Sequence, residues 1–394
     1  MKKIFITFCL MLMSAFGFSQ WVQLVSGTTK DLYSVHFPLA DTGYAVGATG
    51  EIIKTNNAGA SWTSLTSGTN NDLYAVYFTS ASNGYAVGDM GTIRKTTNGG
   101  ATWQTTSSGT VSRLYGVYFP DTNTGYAVGW DLNNSLGTIL KTTNGGTSWT
   151  PQTSGTNAGL YSVYFTHSNT GYAVGDFGTV LKTTDGGTTW ISQTSNTNSQ
   201  LFSVYFLNTN IGYASGTYGA MIKTLDGGTT WTNLFSGTTW DINSVYFIND
   251  TLGYACASET PILKTADSGT NWTTENVASG TYFMMSVYFT DINTGYAVGL
   301  QGKILKTYGS TGTEENQLAE NTIAIFPNPV FDKLNIELSE KATIEILNVE
   351  GQIIKTINNA YKQLVIDLSE FSSGVYFVRA KTDKEIITKI IIKE

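Results

Sequence analysis

The sequence predicts an all-β protein: a seven-bladed β-propeller closed by its own N-terminal strand, followed by a small C-terminal β-sandwich. Three observations carry that expectation. Trp62, Trp103, Trp149, Trp190, Trp231 and Trp272 are spaced 41, 46, 41, 41 and 41 residues apart, and Trp21 stands another 41 before them. Seven Gly-Tyr pairs, from Gly43-Tyr44 to Gly295-Tyr296, keep the same interval, and so do aromatic segments such as Leu73-Tyr74-Ala75-Val76-Tyr77-Phe78. This period, with four short strands per repeat, is that of a propeller blade rather than a helical solenoid; each blade needs neighbours to cover its faces.

The chain begins with Met1-Lys2-Lys3, an apolar run over 4–16 too short for a membrane span, and the small residues Gly17 and Ser19 before Gln20. Residues 1–19 therefore read as a secretory signal peptide, leaving a mature chain without a transmembrane segment. The propeller is expected over 20–308, a Gly/Thr/Glu-rich linker over 309–321 and the second domain over 322–394. Cleavage would remove Cys9 and leave Cys256 without a disulfide partner, so packing has to supply the stability. A net charge of −7 with 13% charged residues argues against capture of nucleic acid or an anionic membrane.

Residues 160–194 show one repeat. Leu160-Tyr161-Ser162-Val163-Tyr164-Phe165 is expected to be the innermost strand. Its third residue is small in every copy (Ser34, Ala75, Gly116, Ser162, Ser203, Ser244, Ser286), which suits a crowded ring centre. Gly171-Tyr172-Ala173-Val174-Gly175 is the second strand, and Asp176-Phe177-Gly178 turns the chain into a third, residues 179–183. A hairpin with Asp185 leads to an outer strand over 189–194. In that hairpin Asp185 is expected to accept N–H groups a residue or two further on, Gly186 and Gly187 supply positive φ, and Trp190 pins the corner.

The aspartate slot holds Asn57, Asn98 and Asn144 in three repeats and Asp185, Asp226 and Asp267 in the other three. A turn tolerates that exchange and acid–base or metal chemistry does not, so these residues are expected to be structural. One lysine per blade (Lys54, Lys95, Lys141, Lys182, Lys223, Lys264, Lys306) is expected to lay its stem over an aromatic ring with its ammonium in water. The seventh repeat lacks its tryptophan strand, while residues 21–28 form an outer strand with no blade before them. Each fills the other's vacancy, leaving no open edge.

The pattern Thr183-x-Asp185-x-Gly187-x-Thr189-Trp190 resembles the Asp-box of bacterial neuraminidase repeats. With Gly-Tyr-Ala-Val-Gly and Ile-Leu-Lys-Thr, the repeats are similar to the photosystem II stability/assembly factor family of seven-bladed propellers. The sialidase likeness would imply an arginine trio beside a tyrosine and a glutamate, yet this propeller contains only Arg94 and Arg113. A two-carboxylate glycosidase remains an alternative, with Asp89, Asp131, Asp176, Asp241 and Glu259 as candidates. His36 and His167 stand isolated, so neither a metal site, a cofactor nor a triad is expected.

Loops opposite the hairpins differ most between repeats and are the expected binding face. Trp130 and Asp131 in a five-residue insertion, Trp240, Asp241, Tyr218, Tyr282, Asp89, Asp176, Arg113 and Glu259 are the ligand candidates. Aromatics beside carboxylates suit a sugar or peptide. The plainer alternative is that these side chains pack loops against the rim.

After the linker, six alternating segments (334–338, 342–348, 352–356, 364–368, 374–380, 385–393) read as an antiparallel sandwich. Phe326-Pro327-Asn328-Pro329, then Asn348-Val349-Glu350-Gly351, then Ser373-Gly374-Val375-Tyr376-Phe377-Val378 are similar, in content and order, to the C-terminal sorting domain of the type IX secretion system of Bacteroidota. That resemblance implies the type IX machinery as a partner, with transit across the outer membrane, removal of the tail, and release or surface attachment. The sequence thus points to a secreted or surface-bound, non-catalytic propeller for a protein, peptide or glycan ligand. A glycoside hydrolase and a photosystem II assembly factor-like protein are the alternatives.

Overall fold

The computed structural model describes residues 21–259, 261–275, 277, 282–308, 324–326, 330, 332–348, 351–382 and 386–393. The expected signal peptide, the linker and Pro327-Asn328-Pro329 lie outside the described residues. The chain divides into two compact units, Met1–Thr313 and Glu314–Glu394.

In the first unit seven four-stranded antiparallel sheets follow one another as blades. Blade 4 has the strands Leu160–Phe165, Gly171–Gly175, Val180–Thr183 and Ile191–Gln193 in spatial order. The outer strand is shorter than its sequence suggests and begins after Trp190. Blade 7 takes its outer strand from the other end of the unit: Trp21–Leu24 pairs with Ile304–Tyr308, Trp21 opposite Thr307 and Leu24 opposite Ile304. Blade 3 carries the insertion as longer second and third strands, Gly125–Asp131 and Leu136–Thr142, so Trp130 and Asp131 end a strand rather than sit in a loop.

The second strand of blade 4 is buried along its whole length, as befits a sheet covered on both faces. Between blades 3 and 4, Tyr126 stacks on Phe165 at 4.0 Å and Trp190 meets Phe165 edge-on at 6.0 Å. The Phe165 ring also explains the glycine of the Gly-Tyr pair, because a Cβ on Gly171 would lie 2.5 Å from it. Where the small third residue of the inner strand is serine it has a bonding role: Ser162 Oγ accepts Val204 N–H of the next blade at 3.3 Å, and Ser286 Oγ accepts Val35 N–H at 3.4 Å.

The hairpin of blade 4 is tied by Asp185, which reaches four residues on rather than one or two. Its Oδ1 accepts Thr189 N–H at 2.9 Å and its Oδ2 accepts the Thr189 hydroxyl at 2.7 Å. Thr183 Oγ1 donates to Asp185 and accepts Gly187 N–H, both at 2.8 Å. In blade 1 Asn57 makes the same loop, with its Nδ2 donating to Ser61 Oγ at 2.9 Å. A hydroxyl at that position donates to Asp or accepts from Asn, which is why the two exchange.

Five lysines of the ring, Lys54, Lys141, Lys182, Lys223 and Lys306, correct the sequence expectation. Lys182 Nζ does not stay in water; it donates to Gly227 O of the next blade at 2.6 Å, beside Tyr172 OH on the same oxygen at 2.7 Å. Lys54 with Tyr44 binds Gly99 O, and Lys306 with Tyr296 binds Ala58 O, so blade 7 is stapled to blade 1 in the same way. The ammonium gains more from a hairpin carbonyl under a tyrosine face than a snorkelling position offers.

In the second unit the six expected segments are fewer and longer. Lys333–Leu347 and Ile353–Asp367 each run for 15 residues, pair with each other, and change register after Leu338 and Ala342. These irregularities bend the strands, so residues that look like breaks are carried through. Ala324–Phe326, Gly374–Lys381 and Ile386–Lys393 complete the pairing. Leu334, Ile336, Ile344, Ile346, Val378 and Ile391 form the centre of its core. Gly351 and Gly374, from the sorting motif, both have positive φ.

Candidate binding site at the channel mouth

Turns after the second strand bond back to the segment before the inner strand: Asp89 N–H donates to Asp72 O and Asp176 N–H to Gly159 O, each at 2.9 Å. Hairpins bond instead to the loops between first and second strands, as Gly186 N–H does to Asn169 O. Both variable loop sets therefore share the face away from the hairpins.

On that face every inner strand carries a β-bulge. In blade 4 Leu160 pairs with Gly175 and Ser162 with Val174, leaving Tyr161 as the extra residue. A bulge re-aims the side chain of its extra residue. Tyr33, Tyr74, Tyr115, Tyr161 and Phe202 occupy this position in blades 1 to 5, with successive ring centroids 5.4, 5.0, 5.0 and 5.5 Å apart. Asn243 and Met285 replace them in blades 6 and 7. The result is a half-buried aromatic arc open on one side.

Charged groups line the arc. Arg113 Nε lies 2.9 Å from Asp89 Oδ1 in a charge contact without hydrogen-bond alignment. Asp176 accepts Gly159 N–H at 3.0 Å, Tyr161 OH at 2.9 Å and Gln200 Nε2 at 2.7 Å. Burial and then the Asp89 and Asp72 carboxylates push the Tyr74 phenol above its ordinary value. Burial and then Asp176 do the same to Tyr161. Trp130 joins from blade 3: a Cβ on Gly159 would stand 3.2 Å from its ring and 2.8 Å from Asp176.

Below the arc a second belt closes completely. His36, Tyr77, Tyr118, Tyr164, Tyr205, Tyr246 and Tyr288 form a circle with neighbouring centroids 4.8 to 5.6 Å apart. Tyr77 OH donates to Phe119 O and Tyr205 OH to Phe247 O of the following blades. Burial pushes the His36 imidazole down to about 4.

Of the sequence candidates, Asp89, Arg113, Trp130 and Asp176 thus come to the arc. Asp176 is buried and fully engaged rather than free on a loop. Tyr282 is a correction: it is 2% exposed, packs in the cluster around Trp21, and donates to Gln23 Oε1 at 3.2 Å. Asp241 accepts Tyr218 N–H at 2.9 Å, tying two blades together. Asp131 accepts Asn133 N–H and two groups of Asn134, closing its own turn, and these bonds hold its carboxyl below the ordinary value. Tyr218 and Trp240 are exposed, and Tyr218 and Glu259 have positive φ. The arc itself was missed, although its signal is in the second residue of each inner strand.

The geometry defines a seven-bladed propeller with an aromatic, charge-lined channel mouth on its variable face. Its repeats match the family model of photosynthesis system II assembly factor YCF48 over residues 13–154 and 147–239, more than half of the chain, and the chain belongs to that family. Residues 324–394 match the secretion system C-terminal sorting domain, which marks the chain for type IX export to the cell surface or beyond. YCF48 from Cyanidioschyzon merolae is 19% identical, with 73% of this chain and 98% of that one covered at a TM-score of 0.62. A YCF48 bound to D1 peptide is 16% identical, covering 76% and 100%, also at 0.62. PorZ, a surface component of the type IX secretion system of Porphyromonas gingivalis, is 12% identical, covering 94% of this chain and 60% of that chain at 0.55. At these identities the likeness is one of fold. No curated protein matches the chain.

Proposed function

We propose that this protein is a secreted or surface-bound, non-catalytic binding propeller that takes a peptide or glycan at the channel mouth. Residues 1–19 carry it to the periplasm, and the C-terminal domain hands it to the type IX machinery. The observation behind this reading is the arc of five bulged aromatics beside the Asp89–Arg113 pair. Aromatic faces supply contact area at low conformational cost, and the charged pair orients a polar ligand. The Asp176 carboxylate at the mouth is engaged with three donors, an arrangement that supports positioning rather than proton transfer. The YCF48 structure with a bound peptide supports a peptide among the ligands.

The test is a glycan array and a peptide library probed with the full chain, followed by calorimetry on the best binder. Tyr74→Ala and Tyr115→Ala should each weaken binding by about tenfold or more. Undiminished binding by both variants would remove the arc from the account. Release of reducing sugar from a bound glycan would replace binding with hydrolysis.

A further inference from the structure

The third strand of each blade presents one residue to the preceding blade. It is Ile53, Leu140, Leu181, Ile222, Leu263 or Leu305 in six blades and Arg94 in blade 2. The apolar six are fully buried in the inter-blade cores, and Arg94 is only 7% exposed in the same place. Its guanidinium lies directly on Gly68 of the preceding blade, where a Cβ would come within 2.1 Å of a guanidinium nitrogen. Nη2 donates to Trp103 O at 3.1 Å and Nη1 donates to Thr105 Oγ1. Nε is buried without an acceptor, and among the described residues no carboxylate lies within ion-pair reach of the group. Burial lowers its pKa with no neighbouring negative charge to offset the shift.

An arginine in a hydrophobic junction carries a desolvation penalty, where the leucine of its sister blades gains from burial, unless a counter-charge meets it. That counter-charge has room to arrive. Arg94 lines a groove of about 740 Å³ between the rim loops on either side of blade 2. The walls are hydroxyl-rich, with Thr69, Thr92, Thr106, Ser107 and Thr110 among them, and Met90 supplies an apolar edge. The corresponding groove of blade 1 is already neutralised by an ion pair, Lys30 to Glu51 at 2.8 Å.

We propose that the groove beside Arg94 binds the carboxylate of an acidic sugar, a hexuronate unit of a polysaccharide. The planar guanidinium matches a carboxylate, and the threonine and serine hydroxyls match the sugar's own hydroxyls. This site is separate from the channel mouth and stands whether or not the mouth binds anything.

The test uses the full chain, with glucuronate, acetate and neutral glucose as calorimetric probes. Glucuronate should bind, glucose should not, and acetate should bind more weakly than glucuronate. Arg94→Leu restores the residue type of the sister blades, so it should fold with an equal or higher Tm while losing about tenfold or more in glucuronate affinity. Unchanged affinity in Arg94→Leu, or no glucuronate binding by the natural protein, overturns the site. Equal affinity for acetate and glucuronate overturns the sugar assignment. A lowered Tm in Arg94→Leu would also count against it, by showing that the arginine is there for packing.

Discussion

The junction between blades 6 and 7 differs from the junction between blades 4 and 5. In the regular case Tyr172 and Lys182 both donate to Gly227 O, in a hairpin that covalently joins two strands of the next blade. At the seam blade 7 has no such hairpin, because its outer strand is the distant Trp21–Leu24. Trp21 meets Tyr254 edge-on at 6.1 Å and Phe289 at 6.0 Å. Lys264 turns to Glu275, 3.7 Å away on its own blade. A polar staple is replaced by apolar contact. Trp21 is fully buried at this seam, as Trp231 is in the hairpin-tethered blade 5, whereas Trp62 retains 8% exposure.

The largest expected effect follows from that difference. Trp21→Ala should cost about 3–5 kcal/mol through the lost ring and the cavity behind it. Trp62→Ala loses a similar ring but keeps its strand tethered by a hairpin, so its fall in Tm should be smaller. Removing residues 21–28 altogether would bare the edge of Ile304–Tyr308 and should add aggregation, visible by light scattering. Equal melting losses in the two tryptophan variants, or an unchanged Tm after the deletion, would mean that the leading strand does not close the ring.

A smaller contrast lies in the staples. Tyr172→Phe should cost about 1 kcal/mol, since Lys182 still serves Gly227 O, and Tyr172→Phe with Lys182→Met about 1–3 kcal/mol. Tyr254→Phe, facing no hairpin carbonyl, should stay within about 0.5 kcal/mol of the natural protein. Denaturant midpoints measure all three. Equal losses at both junctions would show that the ring packing, not the shared carbonyl, holds the blades.

The propeller was legible because its constraints are local and periodic. Trp190 must follow its turn, and Gly171 must precede Tyr172 because Phe165 leaves no space for a Cβ. The lysine ring was not legible, because Lys182 and its acceptor are 45 residues apart and in different blades. The aromatic arc was obscured for a related reason. A bulge moves Tyr161 out of the alternation, so it reads as one more strand aromatic until the register is known. Tyr282 resembled a loop aromatic because the strand that buries it comes from the opposite end of the unit. The long strands of the second unit hid behind polar residues that bulges accommodate.

The smallest expected effect is a pH dependence of the staples that the seam cannot share. The Thr189 amide and then its hydroxyl hold the Asp185 carboxyl at about 2, and Thr230 does the same for Asp226, against an ordinary value of 3.8. A carboxyl depressed by folding stabilises the fold above its unfolded value and loses that contribution as pH falls through the folded one. The loss therefore lies between 3.8 and about 2. Asp185→Asn with Asp226→Asn should flatten the decline in Tm across that window, because Asn57, Asn98 and Asn144 already close the same turn without titrating; an equally steep decline in the double variant would refute the assignment. Gly186 O and Gly227 O, in these two hairpins, are the acceptors for the staples from blades 3 and 4. Amide exchange in acid should accordingly rise in blades 3 to 5 before it rises at Trp21, where apolar contact carries the junction and blade 7 presents no carboxylate hairpin to be neutralised.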